Sequence, residues 1–349
     1  MELAPIIEQY LSAFRSRYES SLLPGHLNAI GAMLRCRTPA SGQMLLHCSQ
    51  CTEQFWHPQS CGHRSCPKCQ NHEASQWLDR QQAKLLPVEY FMVTFTLPCE
   101  LRVLAWRHQT TIYNLLFATA ASTLKDFGLN SKQLGADMGM TAVLHTHSRR
   151  LDYHPHLHAI VPGAGVNSVT RQWKKIRGKY LFNQTALAAV FRARLLAAIK
   201  AAGLALPAKL PDQWVVDCKH VGKGKPALKY LSRYLYRGVI REQDIVSNHN
   251  GKVTFKYIDS TTGQIQYRTL KGEHFLWLVL QHVLPKGFRR VRDYGFLHGN
   301  ARKLLTLIQL TLKVLITAKP ARLRPVFSCP KCQAPMHILD FIRPAWASG

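Results

Sequence analysis

Apolar residues at Ile6, Ile7, Tyr10, Leu11 and Phe14 recur at helical spacing, so residues 1–35 are expected to be amphipathic helix. From Cys36 to about His72 the periodicity stops and the composition turns loop-like. A helical linker over Glu73 to Leu86 then leads to Pro87. The run Phe91 to Leu97 reads as a strand stopped by Pro98, and Leu101 to Phe127 as one long helix. Met138 to His147 and His156 to Val161 are expected to form a hairpin around the polar Ser148-Arg149-Arg150. Thr185 to Ala202 is an Ala/Leu-rich helix, and Trp214 to Cys218 another strand. The order β-α-β-β-α-β predicts an α+β fold: a ferredoxin-like, split β-α-β antiparallel sheet with helices on one face.

Beyond that unit, Pro226 to Arg237 reads as a helix. Val253 to Tyr257 and Gln264 to Arg268 read as a second hairpin with Thr262-Gly263 in its turn. A helix from Glu273 to His282 and the basic run Lys286 to Arg292 follow. The end carries Cys329-Pro330-Lys331-Cys332.

Charge narrows the partners. Forty-six Lys and Arg against 19 Asp and Glu give a formal net charge of +27, spread along the chain. A polyanion is the expected partner, and nucleic acid is the commonest one. The N-terminus MELAPIIEQY has neither a basic leader nor an apolar run. Leu304 to Ile316 is too short for a membrane span and is interrupted by Gln309 and Lys313. The expectation is a soluble cytoplasmic protein without a membrane partner. In a reducing compartment, ten cysteines set largely as Cys-x-x-Cys pairs point to metal ligation rather than disulfides.

Cys48-x-x-Cys51 and Cys66-x-x-Cys69 lie fourteen residues apart. Two such knuckles can close one tetrahedral thiolate site, saturating a structural Zn²⁺ and leaving no open position for chemistry. Cys61, His57, His63 and His72 lie in the same segment and are substitutes for a ligand of that set, with Cys61 also open to a second site. Cys329 and Cys332 form half a site, to be completed by remote ligands, another subunit or the leftover Cys and His, or else a degenerate knuckle without metal. Cys36, Cys99 and Cys218 stand alone and read as buried small hydrophobes. The expected division is 1–88 for the N-terminal helix and a small helical, zinc-ribbon-like domain, 89–300 for the catalytic domain, and 301–349 for a basic helical tail with Cys-x-x-Cys.

The chemistry centres on His154-Pro155-His156-Leu157-His158. On a strand, His156 and His158 project to one face while Leu157 points to the other. Two imidazoles can hold a divalent cation but leave its sphere incomplete. For the third ligand His145 is the first choice, with His147 and Asp152 as alternatives; His154 reads as a supporting or DNA contact. On the helix that follows, Tyr230 and Tyr234 share a face and sit among Lys223, Lys225, Lys229, Arg233 and Arg237. Nearby cations favour phenolate, a nucleophile for phosphorus. Lys286, Arg289 and Arg290 extend the basic surface. Together these residues imply cutting and rejoining of a nucleic-acid strand through a 5′-phosphotyrosine, catalysed by the two tyrosines.

These motifs resemble the HUH endonuclease superfamily and, within it, the rolling-circle transposases of the insertion sequence ninety-one family. The resemblance rests on Ser65-Cys66-Pro67-Lys68-Cys69-Gln70, Val93-Thr94-Phe95-Thr96-Leu97-Pro98, Leu144-His145-Thr146 and the His154 to His158 run. Tyr230-Leu231-Ser232-Arg233-Tyr234 and His282-Val283-Leu284-Pro285-Lys286-Gly287-Phe288 extend it, so that it spans about residues 30 to 300. It implies an N-terminal zinc-binding domain that helps recognise element ends and an HUH catalytic domain using Mg²⁺ or Mn²⁺. It also implies single-stranded DNA at element ends and target DNA as partners, with a homo-oligomer left open. One departure is visible: the residue before Cys-Pro-Lys-Cys is usually His and here is Ser65, with His63 two residues earlier. The rival readings are a plasmid replication initiator or conjugative relaxase, and a non-catalytic zinc-dependent DNA-binding protein.

Overall fold

The computed structural model describes residues 1–69, 71–130, 132–235, 238–259, 261–315 and 326–344, with the side chains of residues 233–235 outside that description. The chain begins with α1 (Leu3–Tyr18) and α2 (Pro24–Arg35), then β1 (Gln43–Cys48), β2 (Gln54–Pro58) and α3 (Asn71–Gln82). The expected single helix over 1–35 is therefore two. A short 3₁₀ turn at Glu19–Ser21 ends the first, and Pro24, which has no N–H to give, fits only the first turn of a new helix. Next come β3 (Tyr90–Thr96), α4 (Arg102–Arg107) and α5 (Gln109–Leu129). Here too one expected helix is two, broken at His108, whose backbone leaves the helical region at φ −128°, ψ 46°.

The path continues through β4 (Asp137–Met138), β5 (Met140–His147), β6 (Tyr153–Pro162), β7 (Ala164–Val166), β8 (Trp173–Lys175), α6 (Gln184–Ala201), β9 (Val216–His220) and α7 (Lys225–Leu235). It closes with β10 (Ile245–His249), β11 (Lys252–Ile258), β12 (Ile265–Lys271), α8 (Gly272–Leu280), β13 (Val291–Tyr294), α9 (Arg302–Thr311) and β14 (Met336–Ile342).

The central sheet has the order β13-β5-β6-β3-β9, and every neighbouring pair is antiparallel. Without β13 this is the fourth-first-third-second order of a ferredoxin-like unit. Strand alternation sorts the side chains. Phe91, Val93 and Phe95 of β3, Leu144 of β5, and Leu157, Ala159 and Val161 of β6 face one way, against Tyr113, Phe117, Phe191 and Leu195 of α5 and α6. Tyr90, Val143 and Ile160 face the other way, against Trp77 of α3, Leu228 and Leu231 of α7, and Leu305 and Ile308 of α9. Helices thus cover both faces rather than one, because the second face is also apolar along part of its length. The uncovered remainder carries the histidines.

Strand β6 starts earlier than expected, at Tyr153, and includes Pro155. Its pairing with β5 slips between His145 and His147, which accommodates a residue that cannot donate to the ladder. The Pro155 carbonyl still accepts from Leu97 N at 3.1 Å.

Two further units flank the sheet. Ile6, Ile7 and Phe14 of α1 share a core with Phe255 of β11 and with Phe275 and Leu276 of α8. The third strand of this unit's sheet, β10, was not expected from the sequence. The other unit has the order β14-β1-β2, with Gln43 opposite Ile342 and Cys48 opposite Met336. The region after 301 is therefore more than a helical tail: beyond α9 it supplies a strand to the N-terminal sheet. Among the described residues no helix is long and apolar enough to cross a membrane.

Two buried histidines make stability depend on pH. His26 is enclosed beside Trp106 and Trp277, and its Nδ1 accepts from Leu23 N. His282 donates through Nε2 to the Leu151 carbonyl at 2.9 Å. Burial is the leading cause that lowers both to about 4. With folded values below the unfolded 6.5, the unfolded chain binds more protons in between, so their contribution is complete above pH 6.5 and is lost as pH falls toward 4. Each contributes on the order of 2–3 kcal/mol. Urea midpoints measured between pH 7.5 and 4.5 (about that span) should fall on acidification, and His26→Gln should flatten the slope.

Candidate functional site

Strand register assembles the histidines. His156 lies opposite His145 on β5 and opposite Thr96 on β3, while His158 lies opposite Thr94. One nitrogen from each of His145, His156 and His158 can be chosen so that all three lie within 4.8 Å of one another. Their ring centroids are 4.6 Å apart for His145–His158, 4.8 Å for His156–His158 and 5.3 Å for His145–His156.

Their outer contacts set the ring orientation. A carbonyl oxygen only accepts, so His156 Nδ1 carries the proton it donates to the His154 carbonyl at 2.7 Å, leaving Nε2 as its donor to a cation. His158 Nδ1 is 2.9 Å from Thr94 Oγ1, which likewise turns Nε2 toward the trio. Arg102 in turn donates to His154 Nδ1 at 2.8 Å. Sequence reasoning missed Thr94; its signal was the polar alternation of Thr94 and Thr96 along β3.

Burial is the leading cause that lowers all three imidazoles, to about 4 at His156, to about 3 at His158 and well below the usual value at His145. They are neutral at physiological pH, the form that ligates metal. Three neutral nitrogen donors converging from two adjacent strands fit a divalent cation with open positions for substrate. Of the alternatives, His147 stacks 6.2 Å from the His145 ring and 5.3 Å from the His282 ring but is not among the converging nitrogens, and Asp152 accepts from Arg268 at 2.8 Å.

Helix α7 brings Tyr230 to this trio. Leu228 and Leu231 anchor the helix in the core, and the half-buried Tyr230 ring stands edge-on to His158 with centroids 6.3 Å apart. Lys225 and Lys229 are exposed on the same helix. Lys223 is paired with Glu89, which also binds His220 at 2.6 Å, so it is not free for phosphate in this arrangement. The side chains of Arg233 and Tyr234, and the whole of Arg237, lie outside the described residues. Lys286 and Arg289 are exposed, whereas Arg290 turns inward, where its charge disfavours protonation of His145, His147 and His282.

The cysteines assemble differently from expectation. Cys48 and Cys51 do not meet Cys66 and Cys69. One cluster joins Cys36, Cys61, Cys66 and Cys69, and another joins Cys48, Cys51, Cys329 and Cys332. The reason is topological: β14 delivers its knuckle to the end of β1, while Cys66 and Cys69 fold back under the end of α2. In the first cluster Cys36 Sγ and Cys69 Sγ are 3.5 Å apart, and Cys61 and Cys69 3.6 Å. Cys36 is thus no isolated apolar thiol, Cys99 is exposed rather than buried, and Cys218 is half-buried. The neighbouring histidines bind elsewhere: His57 packs on Phe327, His63 Nδ1 accepts from Ser65 N, and His72 Nε2 contacts Gln76.

Arg64 connects this thiol cluster to the segment between α8 and β13. Its guanidinium donates to the carbonyls of Leu284, Pro285 and Phe288 at 3.0, 2.6 and 2.8 Å. Arg64→Ala should leave those acceptors without their charged donor and cost about 3 kcal/mol, read from the denaturation midpoint.

Residues 139–304 match a family model described as a putative transposase, and residues 6–97 match the IS91 transposase zinc-binding domain. A putative transposase, y4qJ, from Sinorhizobium fredii (strain NBRC 101917 / NGR234) is 33% identical over 325 residues, covering 86% of this chain and 81% of its own. The transposase for insertion sequence element IS801 from Pseudomonas savastanoi pv. phaseolicola is 28% identical over 343 residues, covering 93% and 82%. Among solved structures, the conjugative relaxase TrwC in its metal-bound complex with oriT DNA aligns at a TM-score of 0.30 and 16% identity, over 66% of this chain and 74% of that one.

Proposed function

As this chain belongs to the insertion sequence ninety-one family of transposases, we propose that it nicks and rejoins single-stranded DNA at the ends of its element, holding the break as a 5′-phosphotyrosine in a rolling-circle-like route. The observation that carries the reading is the meeting, on one face of the sheet, of three neutral imidazoles and a tyrosine ring 6.3 Å from one of them.

A divalent cation, Mn²⁺ better than Mg²⁺ given nitrogen donors, would be held by His145, His156 and His158 and would supply Lewis-acid polarisation of the scissile phosphate. The chain's own groups do the rest. The His154 carbonyl and the Thr94 hydroxyl hold the imidazoles in place. Lys225 and Lys229 flank Tyr230 on α7 and hold the DNA backbone, with Lys286 and Arg289 extending the track. Tyr230 Oη loses its proton to solvent and attacks phosphorus. A Tyr–O–P bond forms, the P–O3′ bond breaks, and the leaving 3′-oxygen takes a proton. The reverse reaction with another 3′-hydroxyl reseals the strand without ATP, since the ester conserves the bond. Tyr234, one helical turn away, serves the second cut.

Cys36, Cys61, Cys66 and Cys69 hold a structural Zn²⁺ in the zinc-binding domain, supported by their four converging thiols. The test is incubation with labelled single-stranded oligonucleotides from candidate element ends plus Mn²⁺ or Mg²⁺, followed by a denaturing gel. The reading expects a covalent protein–DNA band that requires the cation. Cleavage to a free 5′-phosphate with no such band would overturn it.

A further inference from the structure

We infer that Cys48, Cys51, Cys329 and Cys332 form a second structural zinc site, one that clips the carboxy-terminal strand β14 onto the amino-terminal sheet. Cys329 and Cys332 lie outside both matched regions, 6–97 and 139–304.

Geometry favours a metal. The four sulfurs all lie within 4.8 Å of one another, with Cys48–Cys332 and Cys51–Cys329 each at 3.5 Å. A tetrahedron of thiolates about 2.3 Å from Zn²⁺ has edges of roughly 3.8 Å, so the cluster is already near that size.

The two contributing knuckles are copies of one backbone device. Thr52 N donates to the Cys48 carbonyl at 2.9 Å, and Gln333 N to the Cys329 carbonyl at 2.9 Å. Cys48 N donates to Glu53 O at 2.9 Å, and Cys329 N to Ala334 O at 2.8 Å. The residue after the second cysteine is left-handed in both, Thr52 at φ 59° and Gln333 at φ 61°. Non-glycine residues rarely adopt that conformation, and its repetition at matched positions marks a turn built to aim two sulfurs at one point. Lys331 of one knuckle reaches Glu53 of the other at 3.7 Å.

Energetics point the same way. Of the seven residues of β14 only Met336 is buried, while Ile338 and Phe341 are 47% and 57% exposed. The local core comprises Leu46, Cys48, Cys329, Ala334 and Met336. A core that small does not hold a strand by apolar burial alone, whereas a tetrathiolate zinc contributes folding free energy directly, releasing the thiol protons as it binds.

The test uses the full chain purified under reducing conditions and loaded with Co²⁺. Thiolate-to-cobalt charge-transfer absorption reports sulfur-bound metal and is silent for the histidine trio. The expectation is two thiolate-bound metals per chain. Cys329→Ser/Cys332→Ser should halve the absorption and abolish amide-exchange protection over 336–342 while sparing 153–162. Cys332→His, at an exposed position, should keep both metals with a weaker sulfur band. Unchanged absorption in the double variant, protection of 336–342 that survives it, or Cys48–Cys332 and Cys51–Cys329 disulfides in the native protein would each overturn the assignment.

Discussion

Replacing His156 with alanine is expected to lower strand cleavage about a thousandfold while leaving DNA affinity within a few-fold of wild type. The trio has three nitrogen donors from two strands, and His156 is the one locked by a strand-internal bond to the His154 carbonyl. Two remaining imidazoles cannot hold a weakly bound cation at working concentration. On the proposed mechanism, what would be lost is Lewis-acid stabilisation of charge at the phosphate, a matter of about 4 kcal/mol, and each 1.36 kcal/mol is tenfold in rate. On the proposed reading affinity rests instead on exposed cations such as Lys225, Lys229, Lys286 and Arg289, which the substitution leaves in place. Cleavage should return in part at high Mn²⁺. Single-turnover rates with the variant check this; activity within tenfold of wild type at low Mn²⁺ would place the cation elsewhere.

Tyr230→Phe has the second large effect, and it separates nucleophile from scaffold. The ring packs beside Leu228 and Leu231, so phenylalanine keeps shape and volume, and stability should change by less than about 1.5 kcal/mol. On the proposed mechanism the lost hydroxyl is the attacking oxygen of the first cut, so the covalent product should fall to background while oligonucleotide binding persists. Tyr234→Phe should leave the first cut intact and block transfer that needs a second covalent strand. If both variants cleave normally, the tyrosines serve only packing and base stacking.

The parts of this molecule legible in the sequence are those set by local period. The alternation in Phe91 to Leu97 and His156 to Val161 gave the central strands, and the same alternation put His156 and His158 on one face. The His145 position followed because a hairpin neighbour is the nearest source of another imidazole. Long-range pairing was not legible. Spacing shows which cysteines form a knuckle but not which knuckles meet, so it pairs Cys48 and Cys51 with Cys66 and Cys69, whereas the fold brings them to Cys329 and Cys332. Cys36 has no partner within thirty residues before or twenty after it in sequence (about that window), and only the fold back of α2 reveals its role. Strand β13 was hidden because Val291–Tyr294 is short and partly polar, and follows a basic run that reads as surface. The helical breaks at 19–23 and His108 were hidden because the apolar stripe continues across both.

The most direct test of the central claim is to digest the covalent protein–DNA product with protease and nuclease and locate the residual nucleotide by mass spectrometry. The account predicts a phosphodiester on Tyr230, in the peptide that follows Lys229, from a reaction that needs the His145–His156–His158 trio. A nucleotide recovered on a residue outside α7, or an adduct that forms equally well after all three histidines are replaced, would contradict it.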